Sequence, residues 1–427
     1  LSVAIATARW TSMNQKQSNT PSRPTGRQFF INPGPTHIPE SVLGAMHRPT
    51  IDFMAPEFKQ VLERLHAATK RVLKTDQHLL YYGTNGHGAW EGSLANVFSP
   101  GDKVLMLESG HFSINWAQMA RELGLEVEVL PSDWRHGVAA GALAERLRKD
   151  GGHAIKGVMV VHNETATGLV HPIADIRAEL DAAGHPAMLL VDTISSLASF
   201  DFRFDEWGVD LAVGSSQKGL MMITGLAFVG ISERAMAASK DAKITRSFVD
   251  WRQMLTVQPQ RLPGTTPVHL FYGLEEALGL LDAEGLDAVF SRHARLAGAV
   301  RAAVRHWGGG ARNELTICGG TFSGSVEAVE LLCADPARYS DTVTAVLTPS
   351  GFDANELRRV ALEKFNLSLG QGLGPLAGKA FRIGHLGDLN EPMVLGAIAT
   401  IELAMRECGM PHQSGATEAA VSALCGN

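Results

Sequence analysis

The chain has 427 residues, of which 45% are apolar and 19% are charged. This composition suits two or three packed units with a sizeable core and argues against wholesale disorder. The net charge is −6 without a long basic block, which argues against a nucleic-acid partner. No apolar run approaches the roughly 18 to 20 residues that span a bilayer, so we expect a water-soluble protein without a membrane partner.

The first 28 residues differ in composition from the rest of the chain. They are rich in Ser, Thr, Gln and Arg and contain no acidic residue. We interpret residues 1–28 as a disordered extension ahead of a start at Met13, with an organelle-targeting segment as the alternative, and we expect a cytoplasmic protein. The four cysteines form no CxxC pair and no HExxH motif occurs, which predicts free thiols and no metal site.

Ordered structure is expected from Phe29 onward. The stretch FFINPGPTHIP holds three prolines and a glycine, which predicts an extended arm rather than a helix. A helical pattern covers about Glu57 to Leu73, and short apolar runs then alternate with helical stretches. These runs are Val104–Leu107, Val127–Leu130, Val158–Val161, Met188–Val191, Leu211–Val213 and Ala227–Gly230. Such alternation predicts a large α/β domain around a mainly parallel sheet.

The pattern changes near residue 270, where a long helical region from about Leu270 to His306 is expected to bridge two domains. We place the arm and the large domain at 29–290 and a smaller α/β domain at 291–427. The strands predicted for the smaller domain are Val343–Leu347 and Phe381–Ile383. Residues 308–330 begin with three glycines and are interpreted as a mobile insertion.

Two polar residues near predicted strand ends suggest the chemistry. Lys218 follows an apolar strand that ends at Gly214, and Asp192 follows the strand Met188–Val191. In open α/β sheets, ligands bind beyond the carboxyl ends of the strands, which predicts that both side chains share a site. Pyridoxal 5′-phosphate (PLP) needs a lysine that attaches it and an acid that keeps its pyridine nitrogen protonated. A solvated surface lysine and a helix N-cap aspartate are the alternatives.

Four further motifs occur in the order that one cofactor site requires. YYGTNGHGAWEG, 81–92, is a Gly-rich turn before a helix, where backbone amides bind phosphate well. ESGHFSINW offers Phe112 or Trp116 to cover an aromatic ring, and HNETATG offers Thr165 as a hydroxyl donor. Arg382 lies in a short apolar strand and would pair with a substrate carboxylate. Taken singly, these features are also compatible with a structural turn, core aromatic residues and an internal salt bridge.

From about Phe29 to Leu424 the chain resembles the serine–glyoxylate and alanine–glyoxylate aminotransferases, in class V of the fold-type I PLP enzymes. The similar stretches are NPGPTHIP, GTNGHGAWE, HNETATG, VDTISS, GSSQKGL, PGTTPVHLFYGL and LGQGLGPLAGKAFRIGHLGD. The resemblance implies transfer of an amino group from a small L-amino acid to glyoxylate, giving glycine and a 2-oxo acid. It favours serine as the donor, with alanine and aspartate as alternatives.

The resemblance also implies a role for each matching residue. Lys218 would attach PLP, Asp192 would pair with the pyridine nitrogen, and Arg382 would bind the substrate carboxylate. Phe112 would stack on the ring and Ile194 would pack under it. The other implied contacts are Asn85, Gly86, His87 and Gln217 with the phosphate, Thr165 with the ring hydroxyl side, Gly34 and Pro35 with the substrate, and Thr265 with the phosphate of the other subunit's site. A homodimer with shared active sites is therefore expected.

The chain departs from the family pattern at a few positions. Bacterial relatives often have Asp-His-Arg where this chain has Asp52-Phe53-Met54, which bears on the choice of donor. Leu262 stands where animal members have a tyrosine. Two other functions stay open: another class V chemistry, such as a lyase or a cysteine desulfurase, and a non-catalytic binding protein. Phe112 at the stacking position argues against a desulfurase, and the presence of Lys218 argues against a non-catalytic protein.

Overall fold

The computed structural model describes residues 26–426 of the chain. Residues 1–25, and with them most of the extension predicted at 1–28, lie outside the described residues. The strands are β1 Phe29–Ile31, β2 His78–Tyr82, β3 Lys103–Leu107, β4 Glu126–Leu130, β5 Ile155–Val161, β6 Asn163–Glu164, β7 Leu169–Val170, β8 Met188–Asp192, β9 Leu211–Ser215, β10 Ala227–Ile231, β11 Leu315–Cys318, β12 Thr321–Gly324, β13 Glu330–Leu331, β14 Val343–Leu347, β15 Leu367–Gln371 and β16 Ala380–Gly384.

The helices include the one predicted from about Glu57 to Leu73, which forms α2. They are α1 Glu40–Met46, α2 Pro56–Leu73, α3 Gly86–Val97, α4 His111–Glu122, α5 Ala142–Arg148, α6 Ile173–Ala182, α7 Glu233–Ala238, α8 Trp251–Met254, α9 Val268–Glu284, α10 Leu286–Trp307, α11 Ala354–Phe365, α12 Glu391–Glu407 and α13 Ala416–Leu424. No helix within residues 26–426 is both long enough and apolar enough to cross a membrane.

A seven-stranded sheet with the order β2-β10-β9-β8-β5-β3-β4 lies at the centre of the larger part of the molecule. Strand β10 runs antiparallel to both of its neighbours, and the other pairs are parallel. All six predicted apolar runs are strands of this sheet. Side chains alternate between two apolar cores, with Leu79 and Tyr81 in one and Leu80 and Tyr82 in the other. The predicted α/β fold with a large, mainly parallel sheet is confirmed.

The second sheet has five strands in the order β1-β15-β16-β14-β13. Strands β14 and β16 are the two that were predicted for the smaller domain. Strand β1 comes from the N-terminal arm and pairs in parallel with β15, with Phe29 opposite Leu367. The arm therefore starts in the smaller sheet and then runs toward the larger one.

The helical region predicted from Leu270 to His306 is two helices rather than one. Helix α9 ends at Glu284 and is followed by the capping residue Gly285, which has φ 84° and ψ 132°, a conformation that residues with a side chain rarely adopt. Helix α10 then bridges the two parts, because Val289 packs in the core beside the large sheet and Leu296 packs in the core of the smaller sheet. The domain boundary that we placed between residues 290 and 291 falls inside α10.

The segment 308–330, interpreted as an insertion, forms a hairpin of β11 and β12. Trp134 N donates to Ile317 O at 2.7 Å. Gly319 N donates to the buried Glu108 Oε1, also at 2.7 Å. These hydrogen bonds attach the hairpin to the loops that follow β3 and β4 of the large sheet.

Candidate active site

Three neighbouring strands of the large sheet direct polar residues into one cavity. Strand β8 ends at Asp192, β9 is followed by Lys218, and β5 leads to Thr165. The cavity has a volume of about 230 Å³. This is several times the roughly 30 Å³ that one water molecule takes in the liquid, so a small organic molecule has room. The wall is formed by Gly34, Pro35, Asn85, Gly86, His87, Trp90, Phe112, Val161, Asn163, Thr165, Asp192, Ile194, Ser195, Gln217, Lys218 and Thr224.

Lys218 lies on the turn after β9, half-buried in the cavity wall. Its Nζ donates a hydrogen bond to the Pro33 carbonyl oxygen at 2.6 Å. Burial, and to a lesser extent the charge of Arg382, lowers the pKa of this amine from 10.5 to about 7. An amine that is partly neutral near pH 7 can act as a nucleophile and accept a proton, which a solvated surface lysine does poorly.

The arm between β1 and α1 covers Lys218. A Cβ atom added at Gly34 would lie 2.0 Å from Lys218 Nζ, and Gly34 has φ 135°, so only glycine fits there without displacing the amine. Thr36 N donates to Gln217 O at 3.1 Å, which attaches the arm to the lysine turn. Thr36 Oγ1 donates to Leu386 O at 2.8 Å, just beyond β16. The arm thus connects the two sheets directly above the lysine.

Asp192 is the last residue of β8 and is only 5% exposed. Its Oδ1 accepts a hydrogen bond from Ile194 N at 2.7 Å, but no helix starts there, so it is not a helix N-cap. It forms no ion pair with any side chain of residues 26–426. Burial raises the pKa of this carboxyl from 3.8 to about 7. A cationic group entering the cavity would keep the carboxyl ionised.

The turn between β2 and α3 forms another part of the wall. Asn85 Oδ1 caps α3 by accepting from His87 N at 3.1 Å and Gly88 N at 3.3 Å. The His87 and Gly88 amides of the first turn already donate to Asn85. A phosphate bound here would therefore accept hydrogen bonds from the Gly86 amide and from side chains such as His87. A Cβ atom at Gly86 would lie 2.3 Å from Ile194 Cδ1, so glycine lets the two segments meet.

Of the two aromatic residues predicted to cover a ring, Phe112 lines the cavity and Trp116 does not. Trp116 is fully buried and stacks on Trp90, with 5.5 Å between ring centroids and 17° between ring planes. Phe112 meets Trp90 edge-on at a centroid distance of 6.5 Å. Trp116 is therefore a core residue that supports the wall from behind.

Arg382 lies in β16, next to the cavity, and is 8% exposed. Its Nη1 donates to Thr165 O at 3.0 Å, and its Nε donates to Gln371 O at 2.7 Å. No carboxylate in the described part of the chain forms a salt bridge with the guanidinium, so the internal salt bridge that the sequence left open is not formed. Burial lowers the pKa of Arg382 from 12.5 to about 10. A buried guanidinium whose partners are neutral carbonyl oxygens keeps an unpaired positive charge, so it can still bind an anion.

Thr265 lies apart from the other predicted site residues. It stands with Gly264 in the exposed loop before α9 and does not line the cavity of its own chain. The other predicted residues either form the wall or, in the case of Arg382, bind to a wall residue. A single chain therefore brings together every predicted site residue except the one that was expected to come from a second subunit.

Five residues of the wall were not predicted from the sequence, namely Trp90, Val161, Asn163, Ser195 and Thr224. Asn163 Oδ1 is buried and has no hydrogen-bond partner in the described part of the chain. Unpaired buried polar atoms are costly, which indicates a cavity suited to a polar molecule. Trp90 lies in the stretch GTNGHGAWE and Asn163 in the stretch HNETATG, so their position in these motifs could have identified them from the sequence. No group of three His, Cys, Asp or Glu residues within 26–426 is arranged to hold a metal ion.

A lysine and an acid that follow neighbouring strands, with an aromatic side chain and a helix start beside them, fit a PLP-dependent enzyme. Comparison with known proteins adds the family. The family described as aminotransferase class-V matches residues 29–313. The chain belongs to the class V aminotransferases, and it is a PLP-dependent aminotransferase of fold type I.

Similar proteins match along nearly the whole chain. The L-aspartate–glyoxylate aminotransferase of Paracoccus denitrificans (strain Pd 1222) is 45% identical and covers 93% of this chain and 96% of its own. The serine–glyoxylate aminotransferase of Hyphomicrobium methylovorum is 42% identical over 91% of both chains. In the solved structures, pyridoxamine–pyruvate aminotransferase from Mesorhizobium loti has a TM-score of 0.82 at 26% identity, covering 94% of this chain and 98% of its own. The predicted resemblance and the predicted fold class are confirmed.

Proposed function

We propose that this enzyme transfers the amino group of a small L-amino acid to glyoxylate, giving glycine and a 2-oxo acid. Arg382 is the observation that carries this proposal, because it is a buried guanidinium without a carboxylate partner among the described residues and it adjoins the lysine cavity. Both substrates have a carboxylate that it would bind in turn. Two similar proteins are named as glyoxylate aminotransferases that use aspartate or serine as the donor, and these names support the same substrate class.

The residues of the cavity fit PLP. Asp192 is an acid without a cationic partner, which suits a protonated pyridine nitrogen. The start of α3 at Asn85, Gly86 and His87 suits a phosphate, and Gln217 lies in the same cavity wall. Phe112 and Ile194 offer apolar surfaces for the two ring faces. The Thr165 hydroxyl would reach the ring hydroxyl side. Bound PLP would supply an electron sink for the electron pair left at Cα when its proton departs.

Lys218 would do two things in this site. Its amine would attach the cofactor, and after release by the incoming amino acid it would carry the proton between the substrate Cα and the cofactor C4′. The lowered pKa suits this task, since the amine can both take and return a proton near pH 7. The Pro33 carbonyl would hold the free amine beneath the arm, where Gly34 and Pro35 border the substrate.

Serine is our first choice of donor, with aspartate and alanine as alternatives. A panel of these amino acids with glyoxylate, followed through glycine formation, tests the proposal directly. We expect glycine from at least one of the three and none from the same protein carrying Lys218→Ala. A protein that binds PLP but forms no glycine from any of these donors would contradict the proposed substrates, although its family would stand.

We also propose a homodimer in which Thr265 reaches the phosphate of the partner's site. The exposure of Thr265 outside its own cavity and its Gly-Thr-Thr context support this arrangement. Subunit mixing tests it. Lys218→Ala and a disabling change at 264–265 should each be poorly active, and a mixed dimer should regain activity because one of its two sites carries neither defect. Full activity in a demonstrated monomer would refute the shared site.

A desulfurase is the other class V chemistry that the sequence left open. It requires a cysteine at the site, and none of Cys318, Cys333, Cys408 and Cys425 lines the cavity. Burial also raises the pKa of Cys333 to about 12, which suppresses its thiolate. These observations favour amino transfer over sulfur chemistry.

A further inference from the structure

Glu164 is a buried carboxylate beside the active site for which the proposed reaction has no role. It lies in β6, directly before Thr165, and its side chain is fully buried. It forms no salt bridge with a side chain of residues 26–426. Burial raises its pKa from 4.5 to about 7. Since an unpaired buried carboxylate is costly, its position calls for a compensating contact.

That contact is the start of helix α4. Glu164 Oε2 accepts from Phe112 N at 3.0 Å and from Ser113 N at 3.1 Å. Amides in the first turn of a helix have no partner inside the helix and are commonly capped by the preceding side chain. The residue at the capping position of α4 is Gly110, which has no side chain. Glu164 in β6 supplies the acceptor instead.

The other carboxylate oxygen holds the loop that carries Thr165. Glu164 Oε1 accepts from Ala166 N at 3.0 Å. A Cβ atom at Gly110 would lie 2.5 Å from Glu164 Cγ, so glycine makes room for the carboxylate at this point. One side chain thus joins the turn of Phe112, which lines the cavity, to the turn of Thr165, whose carbonyl binds Arg382.

We propose that Glu164 is a positioning residue, which holds Phe112 over the cofactor ring and Thr165 O under Arg382 by accepting hydrogen bonds with both carboxylate oxygens. The proposal rests on the roles proposed for Phe112 and Arg382. It requires two acceptors on one side chain. Glutamine has the same shape but only one acceptor oxygen, so one of the two turns must then face an amide N–H₂ group.

The direct test is Glu164→Gln, measured first in protein without cofactor and at a pH above the Glu164 pKa of about 7, where the unaltered side chain is a carboxylate. Hydrogen–deuterium exchange of peptides covering residues 110–114 and 164–168 should speed up about tenfold or more in at least one of them, as lost hydrogen bonds to a charged acceptor allow local opening. The dissociation constant for PLP, followed by the absorbance of the bound cofactor, should rise by a similar factor. These readouts do not depend on turnover.

Glu108→Gln is the matched control. Glu108 is 2% exposed and also accepts from two N–H groups, Trp134 Nε1 and Gly319 N, each at 2.7 Å. It holds the β11–β12 hairpin rather than α4. Both N–H groups donate to Oε1, so the single amide oxygen of glutamine can keep both hydrogen bonds while the buried carboxylate charge is removed. This control should leave the exchange of 110–114 and the PLP dissociation constant unchanged. An equal effect of both variants on PLP binding would show that removing any buried carboxylate near the site weakens PLP binding, and it would overturn the proposal.

If Glu164→Gln folds poorly, Gly110→Ala provides a second test, because its added Cβ atom would displace the Glu164 carboxylate without removing it. The same exchange pattern is expected. The double variant Glu164→Gln with Phe112→Leu should weaken PLP binding less than the product of the two single effects, since both act through one ring. Unchanged exchange and PLP binding in Glu164→Gln would overturn the positioning role. Failure of the unaltered protein to bind PLP would instead refute the proposed function.

Discussion

The two sides of the cavity are built differently. The strand-end side consists of Phe112, Asp192 and Lys218, each on or just beyond the end of a strand in the seven-stranded sheet. The covering side consists of Gly34, in the arm, and of Arg382, which lies in the five-stranded sheet and bonds to the wall residue Thr165. The strand-end side is positioned by its own strands, whereas the covering side is positioned by contacts between the two sheets.

The contacts of the arm show how the covering side is held. A Cβ atom at Gly384 would lie 2.4 Å from Asn32 O, so the arm packs directly against the end of β16. Thr36 then bonds to both Gln217 and Leu386. Defects on the strand-end side should therefore remove the chemistry, and defects on the covering side should mainly alter substrate binding.

The largest effect is expected at Lys218. Lys218→Ala should lower turnover by at least the 10²- to 10⁴-fold typical of general acid–base catalysis, since it removes both the attachment and the proton carrier. PLP should still bind through its phosphate and ring contacts. Single-turnover kinetics with PLP-saturated protein measure the loss. Turnover within tenfold of the unaltered enzyme would place the chemistry on another residue.

A smaller loss is expected at Arg382, on the covering side. Arg382→Ala should cost on the order of 2–5 kcal/mol in kcat/KM for both the amino donor and glyoxylate, while PLP stays bound. Arg382→Lys should restore little, because an ammonium lacks the planar fork. Steady-state kinetics with each substrate varied give the result. Unchanged kinetics with a lower melting temperature would show that Arg382 is only structural.

Gly34→Ala should disturb the contact between the two sides. The new Cβ would meet Lys218 Nζ at 2.0 Å, and the residue would keep φ near 135°, so we expect a cost of about 1–3 kcal/mol. The rate of covalent PLP attachment should fall accordingly. Gly44→Ala in α1 is the control, because its Cβ would have nothing within 4 Å and should leave this rate unchanged. Equal rates in both variants would show that the arm does not constrain the lysine.

The smallest effect is a shift in pH dependence. Because the pKa of Lys218 is lowered to about 7, its neutral fraction rises as the pH passes 7. The rate of PLP attachment to protein freed of cofactor should rise with the same midpoint, and Arg382→Ala should move the midpoint upward by removing a nearby positive charge. Stopped-flow absorbance measures this rate. A midpoint near the ordinary lysine value of roughly 10.4 would contradict it.

The difference between the strand-end side and the covering side also explains which features could be predicted from the sequence. The strands before Asp192 and Lys218 are short apolar runs, so both the strands and the residues beyond them were readable from local pattern. The break at Gly285 was missed because the residues on both sides keep a helical pattern. Glu164 was missed although it stood in HNETATG, because its partner amides at Phe112 and Ser113 lie about 50 residues away in the chain. Contacts of that kind come from packing and not from local periodicity.

Borohydride reduction of the PLP-loaded enzyme, followed by peptide mass mapping, tests the central claim most directly. Reduction fixes the cofactor on the lysine that carries it. We predict one modified residue per chain, Lys218, with no modification of the same peptide when the cofactor has first been removed. Modification of a different lysine, with Lys218 left free, would contradict the account of this site.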